Sequence, residues 1–354
     1  MVYNFNAGPG ILPLEVLESA QRALSDFNGT GLSILEIGHR TAAFEAVVCE
    51  GQQLARELMN LSDTQEVLFL QGGATTQFFQ VPMNFLAADG VAAYVDAGIW
   101  GAKAIQEARL WGGVQVIGSS KADGYTHIPK SYAIPAKASY LHLTTNNTVE
   151  GTELHDIPET DVPLVADMSS DILSRRMDYR RFALLYAGAQ KNLGAAGVTL
   201  VVIDRTQLGR QARQVPGMMD YRKHIEHGSM LNTPPVFAVY VSVLTLRWLH
   251  AKGGAEVLDA ENRQKSDLLY GTLDSLPLFR PTVAREDRSR MNIVFRIEDP
   301  RLEQAFMERC KDEGMVGIRG HRSVGGFRIS LYNALPIGHV RVLTDLMHDF
   351  AARH

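Results

Sequence analysis

The sequence predicts an α/β protein: a mostly parallel, seven-stranded sheet covered by helices, followed by a small α+β unit. Three observations carry that prediction. Short, nearly continuous apolar runs alternate with helical patterns between residues 66 and 203, and strands buried on both faces read that way. A chain of 354 residues with 45% hydrophobic and 21% charged residues can bury a large core and add a smaller one. Beyond residue 255 the pattern becomes strand, helix, strand, helix over about a hundred residues, a common domain size. The expected units are residues 1–255 and 256–354, with roughly the first fifteen residues placed to pack against the smaller one.

In order along the chain, Leu14–Leu24 and Phe44–Asn60 carry amphipathic helical periodicity, joined by a glycine-rich connection. The expected sheet strands are Glu66–Leu70, Val91–Val95, Val114–Ile117, Tyr140–Thr144, Val162–Ala166, Leu184–Tyr186 and Val198–Ile203. A helical pattern beginning at Gln77 follows the first of these. Helices at Pro234–Lys252 and Ala255–Leu273 lead out of the sheet region. The last unit reads as a strand at Met291–Ile297, a helix at Leu302–Asp312, a strand at Phe327–Leu331 and a helix at His339–Ala352. Sites in such a sheet are expected at the carboxyl ends of the strands.

Composition narrows the function. A net charge of -4 with scattered Lys and Arg gives no basic stripe for a phosphate backbone, so no nucleic-acid partner is expected. No apolar stretch is long enough for a membrane span, and no secretory signal is seen at the start. Cys49 and Cys310 are the two cysteines, without CxxC spacing, which argues against a disulfide framework or a metal site and fits a cytoplasmic location.

Lys191 stands in Leu184-Leu-Tyr-Ala-Gly-Ala-Gln-Lys-Asn-Leu-Gly-Ala-Ala-Gly-Val198, where nothing nearby is charged. Burial beside small apolar residues lowers an amine's pKa and makes it a nucleophile or base, and the best-known use of such a lysine is a Schiff base with pyridoxal phosphate (PLP). A lysine snorkelling from a strand end is also compatible with the segment. In Gln71-Gly-Gly-Ala-Thr-Thr76, small residues between strand and helix allow backbone amides to approach a phosphate, with Ala74 and Thr75 at the turn. A tight structural turn accounts for the stretch equally well. The pattern is neither GxGxxG nor GxxxxGKS, which weighs against a nicotinamide dehydrogenase or an ATP site.

Asp167 closes an apolar run in Val162-Pro-Leu-Val-Ala-Asp-Met-Ser-Ser170 and is placed to keep a pyridine nitrogen protonated, or to cap a turn. Trp100 follows the strand ending at Val95 and offers an indole for ring stacking, or core packing. Thr148 follows another strand. The pairs His39-Arg40 and His321-Arg322, with Arg328 close behind in Gly320-His-Arg-Ser-Val-Gly-Gly-Phe-Arg328, suggest an anionic substrate, because guanidinium forks match carboxylates and phosphates. Solvated surface roles remain open for each pair. A phosphate turn, a strand-end acid and a buried lysine follow one another in the order used by type I PLP enzymes.

Together, Asn6-Ala-Gly-Pro, Gly38-His-Arg, Gln71-Gly-Gly-Ala-Thr-Thr-Gln-Phe, Ala166-Asp-Met-Ser-Ser-Asp-Ile-Leu-Ser-Arg175, Tyr186-Ala-Gly-Ala-Gln-Lys-Asn192, Leu231-Asn-Thr-Pro-Pro235 and Gly320-His-Arg-Ser-Val-Gly-Gly-Phe-Arg-Ile-Ser330 resemble the phosphoserine aminotransferase family nearly end to end. The resemblance implies a cytoplasmic, homodimeric type I PLP enzyme. Its reaction would exchange an amino group between L-glutamate and 3-phosphohydroxypyruvate, forming O-phospho-L-serine and 2-oxoglutarate in serine biosynthesis, and in some bacteria it also serves pyridoxine biosynthesis. It further implies that Lys191 holds the cofactor covalently, Asp167 pairs with its ring nitrogen and Trp100 stacks on the ring. Ala74, Thr75 and Gln190 would hold the cofactor phosphate, Thr148 the ring hydroxyl, and Asn232 with Thr233 would reach the phosphate of the neighbouring subunit. Arg328 would grip the α-carboxylate, leaving His39, Arg40, His321 and Arg322 for the distal phosphate or carboxylate. Some members carry Gly-Arg where this chain has Ala74-Thr75, so one charged phosphate contact is missing here. Among rival type I enzymes, a desulfurase is disfavoured because Gln190, not histidine, precedes Lys191 and neither cysteine sits in a plausible loop. An alanine–glyoxylate type aminotransferase and a non-catalytic binding module remain as other readings.

Overall fold

The computed structural model describes residues 1–209 and 213–354. The chain opens with β1 (Tyr3–Asn4), α1 (Leu14–Ser25) and α2 (Ala42–Met59), then alternates β2 (Gln65–Gln71), α3 (Gly73–Phe85), β3 (Val91–Asp96), α4 (Ile99–Ala108) and β4 (Gly113–Ser119). Next come β5 (Leu141–Thr144), a short hairpin of β6 (Asn146–Asn147) and β7 (Thr152–Glu153), and the strands β8 (Leu164–Asp167), β9 (Phe182–Gly188) and β10 (Val198–Asp204). The short α5 (Tyr221–Glu226) precedes α6 (Val236–Ala251) and α7 (Gly254–Ser275). The chain then forms β11 (Phe279–Pro281), β12 (Asn292–Ile297), α8 (Glu303–Asp312), β13 (Met315–Val316), β14 (Phe327–Ser330) and α9 (Ile337–Ala351).

Seven strands form one sheet in the order β2-β10-β9-β8-β5-β3-β4. Neighbours are parallel except at β10, which runs antiparallel to both β2 and β9. Every residue of β5, β8 and β9 is buried, the physical reason these segments read as unbroken apolar runs. Since six strands point the same way, the carboxyl ends of β2, β3, β5, β8 and β9 open on one edge. Asp167 closes β8 at that edge, and the segments leaving it carry Ala74, Trp100, Thr148 and Lys191.

Helix α3 begins at Gly73, four residues before the predicted start at Gln77. Gly72 and Gly73 adopt positive φ of 97° and 69°, so the strand turns directly into the helix. A side chain at Gly72 would place its Cβ 2.0 Å from the Thr76 hydroxyl. Glycine, alanine and threonine in that first turn carry no apolar periodicity, which conceals the helix start in the sequence.

Apolar packing covers both faces of the sheet. Residues of α1, α2 and α6 fill one side, and α3 with α4 fill the other. A separate core joins α7, α8 and α9 to the three-stranded sheet β11-β12-β14 and includes Phe5. β1 pairs in parallel with β13, which ties the amino terminus to that core. Helix α7 spans both regions, with Leu258 in the first core and Leu269 and Leu273 in the other.

Candidate active site

Lys191 follows β9 and Asp167 ends the adjacent β8, so parallel pairing brings an amine and a carboxylate to the same edge of the sheet. Burial lowers the Lys191 amine to about 8, against the opposing pull of the Asp167 charge. The residue keeps some exposed surface, yet its amine is desolvated and donates to Thr148 Oγ1 at 2.6 Å. Asp167 is buried and its carboxyl is pushed above the ordinary range by burial, partly offset by Lys191 and by Ser169. Its Oδ1 accepts the Ser169 N–H at 2.9 Å.

The first turn of α3 presents Ala74, Thr75 and Thr76 with no side chain capping its free amides. Such a terminus favours an anion. Trp100 lies in the first turn of α4, packed with Ala74 against the same core face. Its ring centroid is 6.0 Å from the Lys191 Nζ and 4.4 Å from the Lys103 Nζ, and its indole N–H is buried without a partner. Glu150 anchors this helix: its Oε1 accepts the Ile99 N–H at 2.8 Å, and a Cβ on Gly98 would lie 2.8 Å from its other oxygen.

Arg328 of β14 donates from Nη1 to the Thr148 carbonyl at 3.3 Å, has no carboxylate partner among the described residues, and leaves its buried Nε unbonded. The same residue Thr148 therefore receives Lys191 on its hydroxyl and Arg328 on its carbonyl. His321 bonds to Ser323 Oγ through Nδ1 at 2.7 Å, and its pKa is lowered by burial and by the neighbouring charges of Arg328, Arg322 and Lys103. Arg322 is exposed beside it. A cleft of about 510 Å³ lined by Ala7, Gly8, Arg319 and Arg328 opens next to these groups.

The other predicted residues make no side-chain bond to Lys191, Asp167, Thr148 or Arg328. His39 and Arg40 sit just before α2; the His39 Nε2 is buried and unbonded, and Arg40 is exposed. No hydrogen bond or ion pair among the described residues links them to Arg328 or His321. Asn232 donates to the Thr233 carbonyl at 3.4 Å, and neither residue bonds to Lys191, Asp167 or Thr148. Gln190 accepts the Gly10 N–H on its carbonyl at 2.7 Å, while its side chain folds over Gly188.

Several residues at the site carry no sequence signal of their own. Gly8 faces the Lys191 side chain, where a Cβ would lie 3.5 Å from Cγ. Ser169 and Glu150 lie two residues from Asp167 and Thr148 and are likewise ordinary polar residues in the sequence, whereas Tyr332 is brought to the site by long-range packing. Among the described residues no cluster of His, Cys, Asp and Glu is arranged to hold a metal.

The chain matches the model of the class-V aminotransferase family over residues 2–343. It is 52% identical over 346 residues to the phosphoserine aminotransferase of Flavobacterium johnsoniae, covering 98% of this chain and 97% of that one. Among solved structures, the phosphoserine aminotransferase from Bacillus circulans subsp. alkalophilus superposes with a TM-score of 0.97 at 44% identity, covering 100% of this chain and 99% of that one. PLP-bound phosphoserine aminotransferase from Trichomonas vaginalis gives 0.93 at 32% identity, covering 98% and 100%.

Proposed function

The chain belongs to the class-V aminotransferase family, and from that premise we propose that it moves an amino group reversibly from L-glutamate to 3-phosphohydroxypyruvate, yielding O-phospho-L-serine and 2-oxoglutarate for serine biosynthesis. It is a PLP-dependent enzyme. The observation that carries the reading is the Lys191 amine, held by Thr148 beside the Asp167 carboxylate with its pKa brought down to about 8.

The residues present fit that cofactor. An uncapped helix start suits its phosphate, an acid at a strand end suits its ring nitrogen, and an indole with a free N–H stands beside the amine. When bound, PLP supplies an electron sink for the carbanion formed at the substrate Cα. In our reading Lys191 would attach the cofactor, and its amine, held by Thr148, would be the group that takes and returns the substrate Cα proton. Asp167 would keep a proton on the ring nitrogen, Trp100 would face the ring and Thr148 would meet its hydroxyl. The amides of Ala74 and Thr75, with Gln190, hold the phosphate.

Arg328, which has no carboxylate partner among the described residues and a buried Nε without a bond, would take the substrate α-carboxylate. His39, Arg40, His321 and Arg322 bind the distal group, which alternates between a carboxylate and a phosphate.

We read residues 1–255 as the cofactor unit and 256–354 as the smaller unit, and the protein as a cytoplasmic homodimer. Leu14, Leu17, Leu24, Leu32 and Leu35 are all exposed along α1 and the segment leading to His39 and Arg40, which supports a covered surface there. A partner would also bring His39, Arg40, Asn232 and Thr233 to a site with which they make no bond in their own chain. Both cysteines are free thiols, and no described helix is long and apolar enough to cross a membrane.

The test is the visible absorption of the purified protein before and after L-phosphoserine, with Lys191→Ala as control. Conversion of the cofactor band to its aminated form in the parent, and none in the variant, is the expected result. A band that responds to other amino acids but not phosphoserine would overturn the substrate reading.

A further inference from the structure

Directly after β14, the strand that bears Arg328, the residues Leu331, Tyr332 and Asn333 are buried and bonded to the elements that frame the site. Lys265 of α7 is buried without an ion pair among the described residues, and its Nζ donates to the carbonyls of Leu331 and Tyr332, each at 2.9 Å. Tyr332 Oη donates to the Ala7 carbonyl at 2.5 Å. Its ring packs so closely on Gly10 that a Cβ there would lie 2.7 Å from it and 3.0 Å from the Lys191 carbonyl.

Asn333 makes the widest set of bonds. Its backbone N–H donates to Asn192 Oδ1 at 2.9 Å, and the Asn192 Nδ2 donates to the Ser170 carbonyl at 2.8 Å. Its own Nδ2 donates to the Leu173 carbonyl at 3.2 Å. Its Oδ1 accepts Asn262 Nδ2 at 2.9 Å, and that amide also donates to the Ser174 carbonyl at 2.8 Å. One residue thus bonds the neighbour of Lys191, the loop that follows Asp167, and α7.

Leu173 makes these bonds more than packing. It is a fully buried, non-glycine residue with φ of 54°, a left-handed conformation that costs free energy and persists where the surroundings over-determine it. Side chains hold both of its backbone polar groups: its N–H donates to Tyr179 Oη at 3.1 Å, and its carbonyl accepts from Asn333.

We propose that Asn333 is a positioning residue that locks the strained 168–174 loop and Asn192 to the end of β14, so that Asp167, Lys191 and Arg328 keep a fixed separation. The proposal rests on the aminotransferase reading above, in which Arg328 holds the carboxylate of the molecule whose Cα the Lys191 amine must reach. Misplacement of about 1 Å in such an arrangement is enough to cost on the order of a hundredfold.

The experiment compares Asn333→Ala and the milder Asn262→Ala with Asn84→Ala, a control at an equally buried amide whose bonds go to Gln80, Met219 and Tyr221, away from the loop. In the cofactor-free chain, amide hydrogen exchange across 169–174 is expected to accelerate roughly tenfold or more in Asn333→Ala relative to the control at matched global stability. In the loaded enzyme, KM for both L-glutamate and L-phosphoserine is expected to rise about tenfold, with the pH midpoint of the cofactor band displaced. Asn262→Ala should move each readout the same way by less, and it decides the matter if Asn333→Ala does not fold. Exchange, KM and midpoint equal to those of the control would make Asn333 an ordinary buried amide and overturn the proposal. If the parent fails to transaminate phosphoserine, the functional reading falls, while the exchange comparison still tests Asn333.

Discussion

Replacing Lys191 by Met is expected to abolish activity and yet stabilise the cofactor-free chain at neutral pH. An unfolded chain leaves the amine at its ordinary pKa of 10.5, whereas folding lowers it to about 8 because burial outweighs the Asp167 charge. Below pH 8 the folded protein therefore bears the whole cost of a desolvated ammonium, worth roughly 3 kcal/mol by the difference between those two values. Between pH 8 and 10.5 the unfolded state binds more protons, so parental stability climbs with pH across that window. Methionine removes the cost but gives up the bond to Thr148, about 1 kcal/mol, and deprives Asp167 of its neighbouring cation. The net gain at about pH 7 is then on the order of 1–2 kcal/mol, and it vanishes or reverses by about pH 10. Urea unfolding of both cofactor-stripped proteins at the two pH values measures it. A Met variant no more stable than the parent at neutral pH, or a difference that does not change with pH, would refute the reasoning.

Two further substitutions probe the binding group and the sheet beneath it. Arg328→Lys replaces a planar fork by a point charge, so KM for both substrates should rise by roughly tenfold or more, with a smaller fall in kcat; equal KM values would remove Arg328 from carboxylate binding. His142 lies inside the sheet, stacked on Tyr94 at 4.8 Å and bonded through Nε2 to Tyr186 Oη at 2.9 Å, with burial lowering its pKa from 6.5 to about 3. The unfolded chain binds the extra proton between those values, so stability falls as pH drops through that window, by as much as roughly 4–5 kcal/mol. His142→Phe should flatten that acid limb, and an unchanged limb in pH-dependent denaturation would exclude His142 as its source.

Much of the fold is legible because burial leaves a local trace. β5, β8 and β9 are buried on both faces and so appear as continuous apolar runs, α1 and α2 announce themselves by amphipathic periodicity, and α6, buried without a break from Ala238 to Leu246, shows as an apolar run too long for a strand. The start of α3 is hidden because Gly73, Ala74, Thr75 and Thr76 have no apolar face to display. β1 and β13 are two residues each, too short to leave any pattern. At the site, an amine set among Ala, Gly and Leu marks Lys191, and an acid closing an apolar run marks Asp167, since both conflict with their immediate surroundings. Glu150, Tyr332 and Asn333 conflict with nothing nearby in the chain.

From the sequence alone follow the α/β alternation, the order of phosphate turn, strand-end acid and lysine, and the family to which these motifs point. Tertiary structure decides which of these residues meet. Thr148 receives Lys191 on one atom and Arg328, 180 residues away, on another, and Tyr332 reaches Ala7 across 325 residues. The division has a physical cause. Apolar periodicity and local composition are short-range properties written within a single element. The geometry of a site depends on how separate elements pack, and many side chains share that outcome without any one of them recording it.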